Sequence, residues 1–277
     1  MQKKTLSLSD IQKISLEILE DIHSFCLQEN IRYSLAYGTL IGAVRHKGFI
    51  PWDDDIDLIM PRDDYERFCR SFHATGRGHV WEGDPDCFIN FCKVFDTAKT
   101  YCHEMAPFMK NYRGGVNVDV FPMDYVSDSF DEYSASNKEM YPLWRKQIRY
   151  RYAKSSISDI IHTFPLKDIL ILLAIKVSGQ ADRLIKKTNA LLRKEISRNT
   201  LEKSAHLSQI VNLDDGSKNY QDYLLFDKLI DTPFDGYTFK CISEYDSYLR
   251  KVYGDYMALP PEEERHPKHG RTVYYWK

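Results

Sequence analysis

Trp52-Asp53-Asp54-Asp55-Ile56-Asp57-Leu58-Ile59-Met60 sets four carboxylates at the mouth of an apolar run. Residues Ile56 to Met60 read as a strand, which Pro61 ends. Side chains alternate faces along a strand, so Asp53, Asp55 and Asp57 are expected on one side. Their mutual repulsion opposes folding unless a cation lies among them, and hard oxygen ligands select Mg²⁺ or Mn²⁺. Magnesium held by carboxylates and substrate phosphates is the usual phosphoryl-transfer arrangement. A solvated acidic turn or a helix-capping cluster is the alternative. The apolar residues that follow place the acids at the end of a core strand and favour the metal.

Downstream, Val116-Asn117-Val118-Asp119-Val120-Phe121 carries an acid amid β-branched residues. A buried acid within a strand is costly unless it is paired or metal-bound. Asp119 therefore reads as a third metal carboxylate, or as the partner of Arg113 or Lys93 in a salt bridge. Upstream, Gly38-Thr39 ends a strand-like run, Arg32 to Tyr37, and opens a short helix, Leu40 to Val44. Glycine admits a phosphate close to the backbone, and a helix start supplies N–H donors. Arg45, His46 and Lys47 follow as a cationic cluster suited to a diphosphate, or as a solvated basic loop.

Ile11, Ile14, Ile18, Ile22 and Phe25 recur at helical steps and give an opening helix, with Ser9 and Gln12 as its expected capping box. Asp63-Asp64 open a helix through Phe72. Three β-rich runs follow, at Cys87 to Phe95, Thr100 to Met105 and Val116 to Phe121. A last helix spans about Ser243 to Tyr253 and stops at Gly254. This order predicts an α+β fold with a small mixed sheet flanked by helices, plus a basic helical insert. It is read as a single domain over 1–277, with a core over 1–128, a basic helical segment over 129–205 and a part over 206–277 that completes it.

The chain has 277 residues, 43% hydrophobic and 28% charged, with a net charge of −2. That is a globular profile, and it argues against polyanion binding by the chain as a whole, so no nucleic-acid partner is expected. The longest apolar run, Ile169 to Ile175, falls far short of the roughly 20 residues that cross a bilayer. The polar start, Met1-Gln2-Lys3-Lys4, carries no secretory core and predicts a cytoplasmic protein. Six cysteines lie at positions without zinc-ligand spacing and read as reduced, mostly buried thiols.

The stretch from Tyr37 through Asp57, with Val118-Asp119-Val120-Phe121-Pro122-Met123-Asp124, Tyr253-Gly254-Asp255-Tyr256-Met257 and Leu259-Pro260-Pro261-Glu262-Glu263, resembles the LicD family of phosphocholine transferases. That family is related to the fukutin-type ribitol-phosphate transferases and has a nucleotidyltransferase-like core. The resemblance implies that Gly38-Thr39 form the nucleotide-phosphate turn and that Asp55, Asp57 and Asp119 hold the metal. Asp53 and Asp54 match the family's extra acids, and Asp53 is a further candidate ligand. It also implies transfer of phosphocholine from CDP-choline to a sugar hydroxyl of a teichoic-acid or lipopolysaccharide precursor, releasing CMP, with Asp119 taking the acceptor proton. Trp52, Phe121 and Tyr125 lie near the motifs and could wall a quaternary ammonium or simply pack the core. The tail departs from the adjacent histidines expected of the family: Arg265-His266-Pro267-Lys268-His269 stands there.

Two rival readings keep the residues and change the function. A CDP-ribitol or other polyol-phosphate donor would require a polar pocket in place of an aromatic one. A catalytically idle glycan-binding protein would lack one of the metal carboxylates, and none is missing. Between Pro142 and Lys203 there are 14 Lys/Arg against five acids. With the aromatics of Trp144 to Tyr152, and with Arg145, Lys146, Arg149 and Arg151 as its cationic surface, this segment is expected to contact an anionic membrane peripherally, on its inner face, or to grip a glycan or lipid-linked acceptor. A solvated insert is the plain alternative.

Overall fold

The computed structural model describes residues 4–82, 89–102, 114–200, 204–210, 216–267 and 272–277. The chain divides into two compact units. The first comprises 1–103, 113–124 and 221–277, and the second 104–112 and 125–220. The fold is α+β with a mixed sheet.

In the first unit, α1 (Leu8–Gln28) buries Ile14, Ile18, Leu19 and Ile22, the face that the periodicity predicts. Its capping box falls two residues earlier than expected. Ser7 Oγ accepts from Asp10 N–H at 3.2 Å, and Asp10 Oδ2 accepts from Ser7 N–H at 2.9 Å. Gln12 is thereby left for another task, donating to the Asp53 carbonyl at 2.9 Å. β1 shrinks to Ser34–Leu35, because Tyr37 adopts φ 47° and already belongs to α2 (Tyr37–Arg45). β2 (Asp57–Pro61) and α3 (Arg62–Ser71) fall within a residue or so of expectation.

β3 (Arg77–Val80), β4 (Cys92–Asp96) and β5 (Thr100–Cys102) follow. Cys87 and residues 103–105 lie outside the described residues. β6 (Asn117–Val126) is the central strand. The sheet runs β1-β2-β6-β4-β3, with β2 and β6 parallel and the other pairs antiparallel. Leu58, Ile59 and Met60 are wholly buried.

After β7 (His206–Ser208) of the second unit, the first unit resumes with β8 (Gln221–Asp222) and a hairpin, β9 (Leu229–Phe234) and β10 (Tyr237–Ile242). The hairpin's two-residue turn, Asp235-Gly236, has positive φ at both positions, the mirror-image turn that matches strand twist. Ile242 N–H donates to Ser34 Oγ at 3.0 Å and fixes the hairpin beside β1. β11 (Tyr274–Trp276) pairs with β5.

The described residues of the second unit form four further helices, α4 (Phe130–Tyr152), α5 (Ile157–Thr163), α6 (Leu166–Ser178) and α7 (Ala181–Ile196). One apolar cluster gathers Val126, Tyr133, Met140 and Ile210, and another Ala153, Ile160, Leu172 and Ala181. The expected four-cation surface is corrected here. Arg151 is only 3% exposed, and Arg149 pairs with Asp168 at 3.2 Å, so Arg145 and Lys146 are left as its exposed cations. The last helix, α8 (Tyr245–Tyr253), belongs to the first unit and stops at Gly254, φ 74°.

Gly42 in α2 supplies a stability test. A Cβ there would lie 2.4 Å from the Gly48 carbonyl oxygen, a backbone atom with no freedom to turn aside. Alanine gains about 1 kcal/mol of helix propensity, but forced overpacking costs about 1–3 kcal/mol. Gly42→Ala is therefore expected to lower the urea midpoint, despite the better helix former.

Candidate active site

The strand register builds the site. Asp57 of β2 stands opposite Asp119 of β6, and Asp119 stands opposite Lys93 of β4. One row across three strands thus reads Asp57–Asp119–Lys93, and the three side chains share a face. Lys93 Nζ donates to Asp119 Oδ1 at 2.5 Å and Oδ2 at 2.7 Å, and to Asn117 Oδ1 at 2.9 Å. Asn117 Nδ2 donates in turn to Tyr274 Oη at 2.8 Å. The salt-bridge alternative for Asp119 is therefore realised through Lys93. Arg113 lies outside the described residues.

The acids before β2 are arranged differently from the expectation. Residues 53–56 are not strand, so Asp53 and Asp55 do not share a strand face with Asp57. A turn at Pro51-Trp52 delays the extended conformation, and Asp53 N–H donates to the Ile50 carbonyl at 2.9 Å. Instead, one oxygen each of Asp53, Asp54 and Asp55 can come within 4.8 Å of one another. Asp54 Oδ1 is buried without a hydrogen-bond partner among the described residues.

Burial, then the charges of Asp55 and Asp54, push the Asp53 carboxyl up to about 7. Burial raises Asp57 as well, reinforced by Asp55, Asp119 and Asp53 and opposed by Lys93. An orphaned buried oxygen and carboxyls held above their ordinary range are what a hard divalent cation would relieve, so the donor set fits Mg²⁺ or Mn²⁺.

Gly38 and Thr39 lie against these acids. A Cβ on Gly38 would meet Asp53 Oδ2 at 2.8 Å, and Thr39 Oγ1 accepts the Asp57 N–H at 2.9 Å. Both belong to the first turn of α2, which begins earlier than the expected Leu40. The cationic cluster is less uniform. Arg45 Nη1 donates to the carbonyls of Tyr256 and Ala258 at 2.8 and 3.1 Å, and its Nε to His46 Nε2 at 2.9 Å. Burial, then the Arg45 charge, holds His46 below its ordinary range. The Lys47 side chain is exposed. Trp52 is half-buried, with the Arg265 guanidinium 5.8 Å from its ring centroid. His266 is exposed and faces the Glu263 carbonyl at 3.0 Å, while His269 lies outside the described residues.

Phe91 carries no sequence signal of its own, while Phe121 beside it does. Phe91, just before β4, lies against Phe121 of β6, with ring centroids 4.5 Å apart. Tyr37 meets Phe121 edge-on at 5.7 Å, and the Lys93 ammonium lies 5.2 Å from the Phe91 centroid. All three rings are partly exposed. Tyr125, near the end of β6, is buried. Burial of its hydroxyl, then the charges of Asp57, Asp53 and Asp55, push the Tyr253 phenol up, although the residue as a whole is 47% exposed.

The family model described as LicD/FKTN/FKRP, nucleotidyltransferase domain, matches residues 30–169. A Haemophilus influenzae protein named lipopolysaccharide cholinephosphotransferase LicD is 32% identical over 285 residues, covering 98% of this chain and 99% of that one. An uncharacterized protein of Rickettsia typhi is 29% identical over 150 residues, 50% of this chain and 45% of its own. One of Rickettsia prowazekii is 27% identical over 146 residues, 51% of this chain and 50% of its own.

The raised Asp53 carboxyl has a measurable sign. Between its ordinary 3.8 and about 7, the folded chain holds a proton that the unfolded chain has released. Stability therefore falls as pH rises through that window, and the Asp57 shift acts in the same direction. Urea midpoints in EDTA are expected to decline from about pH 4 to about pH 7. Asp53→Asn is expected to flatten that decline, and an unchanged slope would remove Asp53 as its source.

Proposed function

This chain belongs to the LicD family, and from that premise we propose that it transfers phosphocholine from CDP-choline to a sugar hydroxyl of a cell-surface glycan precursor, releasing CMP. The acceptor is read as lipid-linked, of the lipopolysaccharide type in the Haemophilus relative's name or of the teichoic-acid type. The observation that carries the proposal is the Asp57–Asp119–Lys93 row with the Phe91–Phe121 ring pair beside it. The first is an anionic floor backed by one cation. The second is a partly exposed aromatic pair, which attracts a quaternary ammonium and offers little to a polyol. This favours choline over ribitol as the donor's headgroup.

The Asp57–Asp119 pair is read as a nucleotidyltransferase-like core. Asp55, Asp57 and Asp119, with Asp53 beside them, are the residues that would hold Mg²⁺ or Mn²⁺. There it would supply neutralising charge for the diphosphate and for the departing CMP. The α2 start, at Gly38 and Thr39, brings backbone close to the acids and so to a diphosphate that would lie there. His46, held below its ordinary range by burial and by Arg45, contributes a hydrogen bond, and Lys47 an unburied charge.

In the reaction the acceptor oxygen bonds to the choline-bearing phosphorus, and the bond from that phosphorus to the CMP oxygen breaks. The hydroxyl proton passes to Asp119. Both Asp119 oxygens accept from Lys93, so taking the proton loosens that pair and turns the ammonium toward the phosphate oxygens. Tyr37, Phe91 and Phe121 hold the trimethylammonium and thereby aim its phosphorus at the acceptor, leaving the nucleotide as leaving group. A polyol-phosphate donor is the second reading and shares every step except this one.

Purified chain with Mg²⁺ is expected to release CMP from CDP-choline in the presence of acceptor, well ahead of CDP-ribitol or CDP-glycerol. Preference for CDP-ribitol would overturn the headgroup assignment. Asp55→Asn, Asp57→Asn and Asp119→Asn are each expected to lower the rate about 100-fold or more, and EDTA to mimic them. Full activity with ordinary metal dependence in any one of them would remove that residue from the set. Phe91→Leu and Phe121→Leu are each expected to raise KM for CDP-choline. A contribution of about 0.5–2 kcal/mol per ring corresponds to about 2- to 30-fold, while CDP-ribitol turnover should stay unchanged.

A further inference from the structure

Helix α6, Leu166-Lys-Asp-Ile-Leu-Ile-Leu-Leu-Ala-Ile-Lys-Val-Ser178, is apolar nearly all the way round. Such a helix is normally buried on every side. Here Leu172 and Asp168 face inward, while Leu166 is 73%, Leu170 61% and Val177 88% exposed. Those three lie at spacings of four and seven, one stripe along the helix. Ile157 and Ile161, four apart on α5, are exposed as well. Lys167 is exposed on the same helix.

A groove of about 560 Å³ adjoins this ridge, lined by Tyr141, Trp144, Arg145, Arg149, Tyr152 and Phe164 among others. Phe164 closes α5 two residues before α6, packs edge-on against Tyr152 at 4.7 Å, and so joins groove to ridge. Trp144 Nε1 lies there buried, without a hydrogen-bond partner among the described residues. The Arg145 guanidinium sits 5.9 Å from the Tyr141 ring centroid.

We infer that the α5–α6 ridge and the adjoining groove seat this chain on an anionic lipid bilayer, the aliphatic stripe among the acyl chains and the Trp144 groove at the headgroups. Aliphatic residues that enter a bilayer, bordered by Trp, Tyr and cations at its interface, are the chemistry of an in-plane amphipathic surface. The exposed Arg145 and Lys146 cations suit phosphate oxygens. A second copy of this chain suits the face poorly. A twofold interface would set the same cations against themselves, in a segment with 14 Lys/Arg and five acids. The inference rests on the lipid-linked acceptor reading only for its purpose, since binding is measured without catalysis.

The test uses the full chain with vesicles of phosphatidylcholine alone or with phosphatidylglycerol. Wild type is expected to co-sediment at least about tenfold more tightly with the anionic vesicles, and high salt should weaken that preference without abolishing binding. Leu166→Gln/Leu170→Gln/Val177→Gln should lose at least about tenfold in affinity with an unchanged circular dichroism spectrum. Arg145→Gln/Lys146→Gln should lose the anionic preference. Brominated lipid should quench wild-type tryptophan fluorescence more than that of Trp144→Phe, a comparison that does not depend on the triple variant folding. CMP release with a water-soluble acceptor should be equal in all variants. If no protein shows it, the transferase reading fails and the bilayer reading stands on sedimentation. Absence of co-sedimentation, equal binding by the triple variant, or a wild-type dimer that the triple variant dissolves would each overturn the bilayer inference.

Discussion

Asp57 and Asp119 face each other across two parallel strands, and the candidate site depends on that register being held against their repulsion. The sheet holds it from several directions. Asp119 N–H donates to the Ile56 carbonyl at 2.9 Å, Ala36 N–H to the Asp57 carbonyl at 3.0 Å, and Asp57 N–H to Thr39 Oγ1. Lys93 on the next strand supplies the compensating charge. A slip of one residue in either strand would turn its acid into the core and an aliphatic side chain into the site. The hydrogen bonds at the strand mouth thus do for the chemistry what the apolar core does for the fold.

Much of this was legible in the sequence. The apolar run after the acids marked β2, and the β-branched run around Asp119 marked β6, because a period of two survives in the residue order. Which strands neighbour one another is not written locally. Lys93 could be weighed only as one partner among others until β4 was seen to flank β6. The strand face assigned to Asp53 and Asp55 failed because a turn at Pro51-Trp52 precedes them, and alternation applies only where the backbone is already extended. Arg45 read as free for phosphate, but its carbonyl partners lie more than 200 residues away in sequence. No local pattern announces them.

The basic segment taught the opposite lesson. Its charges were conspicuous, yet Arg151 is buried and Arg149 is engaged with Asp168. The informative residues are aliphatic ones that composition alone would assign to a core. Leu166, Leu170 and Val177 carry no periodic polar contrast, because the buried side of α6 is as apolar as the exposed side. Only the accessible surface separates the two sides. Residues selected for their charge and residues exposed to solvent form overlapping but different sets.

The parallel pairing of β2 with β6 joins residues about 60 apart in the chain, with α3, β3, β4 and β5 made in between. On a ribosome, β2 emerges with its acids and with one lateral edge unpaired, and it must wait for that intervening chain before its parallel neighbour appears. Pairings of such long sequence separation form late, and an exposed strand edge invites association in the meantime. The order of synthesis softens the problem. Lys93 leaves the exit tunnel before Asp119, so the cation is at hand when the second acid arrives. A nascent chain stalled between the two would present an acidic, apolar half-sheet, and that interval is where a chaperone would have the most to protect.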